Sequence, residues 1–304
     1  MTAAPLGAAW ALLVLCLVCL APAHAGAQTQ VVVLGTGTPV PDADRAGSGI
    51  AVVHQGRAYL FDAGGGVVRR ALEASRRYGL PGLSPERVDR VFLTHLHSDH
   101  VADFAELATT IWWRRAGRIR LWGPAGVGAM VDGMEAMLAS DIRMRRGGIQ
   151  PLARPDGYRV QVSEIEAGRV LEEDGIAIDA FEVSHGAAVP AFGYRIATPD
   201  RTIVISGDTA YSDAVVEMAR GADVLFHEVI SEEGLRGLAP EWQQYHSRVH
   251  TTSSELARIA RQARPGLLVL VHVLHYGARV ESALDEVRSA YDGEVVLADD
   301  LDIF

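Results

Sequence analysis

Val91-Phe-Leu-Thr-His-Leu-His-Ser-Asp-His100 is the stretch on which this 304-residue sequence turns. Three apolar residues read as a buried strand, and His95, His97, Asp99 and His100 follow within one short segment. Imidazole nitrogens with a carboxylate are the donors that a borderline-soft ion such as Zn²⁺ prefers. With 91–94 as a strand and the histidines on the loop leaving it, His95 and His97 project alike at a two-residue period. Asp99 and His100 then turn towards a second point about 3.5–4 Å away, the usual spacing of a two-metal site.

Three further candidate ligands close apolar β-type runs downstream. His185 follows 181–184, Asp208 follows Thr202-Ile-Val-Ile-Ser-Gly, and His272 follows Leu267-Leu-Val-Leu-Val. The H-x-H-x-D-H pattern with these three residues in this order resembles the metallo-β-lactamase superfamily, and the resemblance spans 31 to about 304. It implies an α/β (α+β) fold, the four-layer αββα sandwich, with two sheets face to face and helices outside. It further implies that His95, His97 and His185 hold one zinc and that Asp99, His100 and His272 hold the other. Asp208 would bridge the two together with a hydroxide. Mn or Fe would also suit such donors.

Other elements narrow the resemblance to the branch of ribonuclease Z and certain arylsulfatases. These are Gly35-Thr-Gly-Thr-Pro39, then His227-Glu228 after an apolar strand, then His250-Thr-Thr252 opening a helix. By this resemblance His250 stands over the metals, held by Glu228, to stabilise an oxyanion or protonate the leaving group. Asp99 would serve as both ligand and hydrogen-bond acceptor of the hydroxide. Asp62 matches a position that supports the metal histidines from behind. Two departures stand out. Asp103 occupies a position where many relatives carry glycine, and the interval from His185 to Asp208 is too short for the protruding arm that grips tRNA in ribonuclease Z.

Composition adds bounds. Net charge is −10, and all 28 basic residues are arginine. An acidic chain without a basic block is a poor match to a phosphate backbone, so nucleic acid is not the expected partner. Residues 1–25 read as a signal peptide, with an apolar core from Trp10 and an A-x-A site at Ala23-His24-Ala25. The expectation is an exported protein, periplasmic or secreted, with 26–304 as one hydrolase domain and no lasting membrane association after cleavage. An uncleaved anchor is the other reading. Both cysteines, Cys16 and Cys19, fall in this segment, so the chemistry rests on His, Asp, Glu and metal.

Elsewhere, 50–53 and 58–61 read as a hairpin, and helices are expected from 67 to about 78, over 101–113, over 256–263 and near 281–290. Trp112 and Trp113, just beyond the metal motif, read either as a pocket wall or as core, while His246 and His275 read as a pocket rim. The arginines of 140–160 read as a solvated loop. Together these readings describe a binuclear zinc hydrolase acting on a small phosphodiester or aryl sulfate-type ester. The alternatives are a ribonuclease Z-type tRNA 3′-processing endonuclease, a β-lactamase or lactonase, and a metal-binding protein without catalysis. A homodimer is left open.

Overall fold

The computed structural model describes residues 1–2 and 29–304. The signal-peptide reading of 1–25 therefore lies almost wholly outside the described residues. Within the described residues, no helix is long and apolar enough to cross a membrane.

The first sheet has the order β1 to β6: β1 (Gln30–Gly35), β2 (Gly49–His54), β3 (Arg57–Phe61), β4 (Arg90–Phe92), β5 (Arg120–Gly123) and β6 (Gln161–Glu164). The first three strands pair antiparallel and the rest parallel. The second sheet runs in sequence order from β7 (Gly168–Glu173) through β8 (Ile176–His185), β9 (Ala188–Ala197), β10 (Thr202–Ile205), β11 (Val224–Ile230) and β12 (Leu267–Leu274) to β13 (Val295–Leu297). It too starts antiparallel and becomes parallel from β10 onwards.

Strand alternation assigns each residue a layer. In β1, Val31 and Val33 enter the core between the sheets, where Phe61, Phe92 and Tyr194 also meet. Val32 and Leu34 point the other way, under the outer helices of the first half. Those helices are α1 (Val67–Tyr78), α2 (Ser98–Val101), α3 (Phe104–Thr109), α4 (Val127–Met137) and α5 (Ala139–Gly147). The far face of the second sheet is covered by α6 (Asp213–Met218), α9 (Ser253–Ala263) and α10 (Glu281–Ala290). Two further helices, α7 (Glu232–Arg236) and α8 (Pro240–Val249), lie between β11 and α9 in the chain. Layers of helix, sheet, sheet and helix result, as expected.

Three expectations need correction. Residues 101–113 are not one helix but α2, α3 and a 3₁₀ turn, Trp112–Arg114. The carbonyls of Asp99 and His100, which would have continued the helix, instead accept the N–H groups of Ser48 and Ala63. Arg143, Arg145 and Arg146 stand on α5 rather than in a loop. His272 does not end its strand. It is the extra residue of a bulge, because Glu228 pairs with Val271 and Val229 with Val273, and its φ of 46° turns it out of the ladder.

A candidate metal-binding active site

Every candidate ligand but His272, which bulges from within β12, sits at or past the carboxyl end of a strand. His95 and His97 leave β4, while Asp99 and His100 form the first turn of α2 rather than a loop. His185 ends β8, Asp208 follows β10 and His272 protrudes from β12. Gly207 makes the approach to Asp208 with φ of 61°, and a Cβ there would meet the Phe192 carbonyl at 2.6 Å. Gly64 lets the loop after β3 pass beneath the metal loop, because a Cβ would lie 2.1 Å from the Asp99 carbonyl.

The donor atoms converge in two groups. His97 Nδ1 lies 3.0 Å from His95 Nε2 and 3.1 Å from His185 Nε2. Asp99 Oδ2 lies 3.1 Å from His272 Nε2 and 3.5 Å from His100 Nε2. Asp208 Oδ2 stands between the groups, 3.5 Å from both His100 and His272 and 3.9 Å from His185. His95, His97 and His185 form one potential metal cluster, and Asp99, His100 and His272 form another.

Hydrogen bonds behind the rings determine which nitrogens face inward as bare lone pairs. His185 Nδ1–H donates to the Val249 carbonyl at 2.7 Å, which leaves Nε2 unprotonated. His100 Nδ1–H donates to Asp62 Oδ2 at 2.8 Å, with the same result. The Thr94 hydroxyl donates to Asp62 and so accepts from His95 Nδ1–H at 3.0 Å. One carboxylate therefore sets two rings, directly and through Thr94. The backbone N–H of Thr94 fixes the Asp62 carboxylate in turn, at 2.8 Å.

These donors fit a cation. Buried His100 Nε2 has no hydrogen-bond partner in the protein, and the inward nitrogens of His95, His97 and His185 lie close enough together to share one cation. Burial opposes charge on His100, yet without a cation the carboxylates of Asp208 and Asp62 hold its ring well above the ordinary histidine range, so that a proton takes the Nε2 position a metal ion would fill. Burial likewise opposes charge on Asp208, which His272 and His100 keep well below the usual carboxylate range. In contrast, burial lowers His185 to about 4.

Beside this centre His250 Nδ1 lies 3.1 Å from Glu228 Oε1, an oxygen that also accepts the N–H groups of Thr209 and Thr251. Burial, then the nearby Asp208 carboxylate, raises Glu228 well above the usual range. Burial lowers His250 to about 4. His250 reaches its place because α8 ends there and Thr252 starts α9 with a capping box to Glu255.

Asp103, the departure in the metal motif, has its own use. Its carboxylate accepts the Val68 N–H at 2.7 Å and its N–H donates to the Ala63 carbonyl, which pins the junction of α2 and α3 to the start of α1. Trp112 and Trp113 are not a pocket wall: Trp112 is buried against Ile142 and Tyr158, and Trp113 packs on that cluster under Arg145. The aromatic wall comes from elsewhere. A cleft of about 510 Å³ opens over His97, His185, Asp208 and His250, and its sides include Trp242, Tyr245 and Tyr276. His246 and His275 line it, as the rim reading expects. The three aromatic residues escaped the sequence reading; the signal was their position between His227-Glu228 and His250-Thr251-Thr252, or just past His272.

The family described as "Beta-lactamase superfamily domain" matches residues 57–273. The chain belongs to the metallo-β-lactamase superfamily. It is 34% identical over 270 residues to a protein named ribonuclease Z from Mycobacterium sp. (strain KMS), covering 86% of this chain and 90% of that one. A ribonuclease Z from Mycobacterium bovis is 32% identical over 235 residues, covering 76% and 81%. Among solved structures, the metallo-β-lactamase fold protein YhfI from Bacillus subtilis aligns with a TM-score of 0.68 at 21% identity, covering 91% of this chain and 98% of its own. The short form of human tRNase Z aligns with a TM-score of 0.64 at 23% identity, covering 90% and 98%. These likenesses establish the superfamily fold in this chain and make it a metal-dependent hydrolase of that family. The relatives at this level of identity carry the name ribonuclease Z, which stands against setting nucleic acid aside on the acidic balance alone.

Proposed function

We propose that this protein is a metal-dependent phosphodiesterase of the ribonuclease Z type, hydrolysing a phosphodiester of RNA at a site that holds two divalent ions, zinc by preference. The observation that carries the reading is the seven-donor cluster with the His250–Glu228 pair at its edge, in a chain whose named relatives cleave RNA. His95, His97 and His185 would hold one ion, Asp99, His100 and His272 the other, and Asp208 would touch both. When bound, such ions supply Lewis acidity towards the phosphoryl oxygens and a water of lowered pKa.

The residues of the chain supply the rest. Asp62 and Val249 orient the inward nitrogens, so the donors are in place before substrate arrives. Glu228 Oε1, fixed by the N–H groups of Thr209 and Thr251, holds the His250 ring through Nδ1, and that ring lines the cleft, where it can hand a proton to a departing alkoxide.

A second reading, a smaller phosphodiester, is favoured by one observation. β8 and β9 are joined directly, with His185 pairing Ala188, so the connection carries no arm that could grip a folded RNA. Export of the chain, directed by residues 1–25, also belongs to this proposal and suits a scavenging role better than tRNA maturation.

The test compares three substrates on zinc-loaded protein, with Asp208→Ala as the blank: an RNA bearing a 3′ extension, bis-p-nitrophenyl phosphate and p-nitrophenyl sulfate. Cleavage of both diesters with the RNA preferred supports the proposal. Turnover of the chromogenic diester alone moves the assignment to the smaller substrate. A preference for the sulfate would overturn it.

A further inference from the structure

The cleft above the metal cluster has an ordered set of rings that the hydrolytic chemistry does not require. From His272 outward the rings succeed one another nearly parallel. His272 and His250 have centroids 6.1 Å apart at 24°, His250 and His246 are 6.0 Å apart at 30°, and His246 and Trp242 are 5.7 Å apart at 24°. The series ends in solvent, where Trp242 is 54% exposed and Tyr245, edge-on to it at 5.8 Å, is 49% exposed. Such an open aromatic surface at the mouth of a cleft contrasts with Trp112 and Trp122, which are buried in the core. The shelf is also held in place. The Tyr276 hydroxyl meets His246 Nδ1 at 2.8 Å, and Gln243 Nε2 donates to the Leu238 carbonyl at 2.8 Å, tying α8 to the turn before it.

Charge gives the second observation. No Lys or Arg is among the residues lining this cleft, and its remaining wall includes Pro39 and Val40. A phosphate backbone could not be tracked there by ion pairing. What the cleft offers instead is a flat π-face, continuous with His250, the ring to which the proposed function gives the leaving group. Bases stack on such faces irrespective of sequence, for about 1–3 kcal/mol each.

We infer that Trp242 and Tyr245, with His246 behind them, form a stacking shelf for the unpaired nucleobase whose 3′ oxygen leaves in the reaction. This rests on the phosphodiesterase reading and specifies its substrate as a single-stranded 3′ segment, recognised by base stacking rather than by backbone charge.

Two short single-stranded RNAs test it, identical except that the nucleotide on the 5′ side of the cleaved bond carries a base in one and is abasic in the other. On the zinc-loaded protein the abasic RNA is expected to show a KM higher by about tenfold, the size of one stacked base, with kcat within about twofold. Trp242→Ala should raise KM similarly for the base-bearing RNA and leave the abasic one unchanged, while Trp242→Phe should restore the wild-type KM. An equal loss on both RNAs, or none on either, overturns the shelf. If neither RNA is cleaved, the phosphodiesterase reading fails on RNA, and the shelf is still decided by binding. Adenosine should quench the tryptophan fluorescence of the wild type while ribose does not, and the quench should vanish in Trp242→Phe. Absence of any quench, or its persistence in that variant, overturns the inference independently of turnover.

Discussion

His95, His100 and Asp62 show how much of the centre is decided by single hydrogen bonds. Asp62 sits at φ of 60°, a conformation uncommon outside glycine, and from there reaches both the His100 ring and the Thr94 hydroxyl. Asp62→Ala removes the acceptor that fixes two imidazole tautomers. Competition with a fluorescent chelator is expected to show metal affinity falling by about 10–100-fold. His250→Ala should behave differently: kcat lower by about 10²–10⁴ with metal content unchanged by elemental analysis. Loss of metal in that variant would make His250 a ligand, a role its place near His185 and Asp208 also permits.

At the scale of elements, ligand placement depends on interruptions of regular structure. β12 bulges at His272, α2 stops after one turn because its carbonyls serve another loop, and the chain turns at Gly207 before Asp208. Gly207→Ala combines a positive φ with a Cβ only 2.6 Å from a backbone carbonyl, so it is expected to destabilise the fold and to displace Asp208. Differential scanning fluorimetry together with turnover would detect both; an unchanged melting temperature would show that the turn relaxes freely. Thr252→Ala strips the capping box from α9 and should cost about 1 kcal/mol. Because His250 lies two residues before that cap, kcat is expected to fall as well, whereas a purely structural cap would lower the melting temperature alone.

For the whole molecule, the two sheets bring together residues more than 170 positions apart, such as Asp99 and His272. A ligand set drawn from both halves makes bound metal a cross-link between the sheets. Chelation is therefore expected to abolish turnover and also to lower the melting temperature, both recovering when zinc is restored. A melting temperature indifferent to chelator would mean that the ions contribute nothing to the native state. The export proposal is tested by cell fractionation and by the mass of the mature amino terminus, with cleavage after Ala25 as the expected outcome.

The metal motif and its distant partners were legible because ligand chemistry restricts residue types severely, and because a strand end is marked by an apolar run breaking at a polar residue. His185 and Asp208 were singled out in this way, and α1, α9 and α10 were read from their apolar periodicity, with the capping box of α9 as a further local signal. Three-dimensional contacts decided the rest. Competition for the carbonyls of Asp99 and His100 split a segment whose own pattern reads as one helix. Trp112 and Trp242 are alike as residues, yet the first is buried under α5 and the second stands open in the cleft over the candidate metal ligands. Local sequence specifies periodicity, caps and donor chemistry, since those depend on near neighbours. Which aromatic faces the cleft depends on which distant surface arrives to cover it, and that is settled only when the two sheets pack.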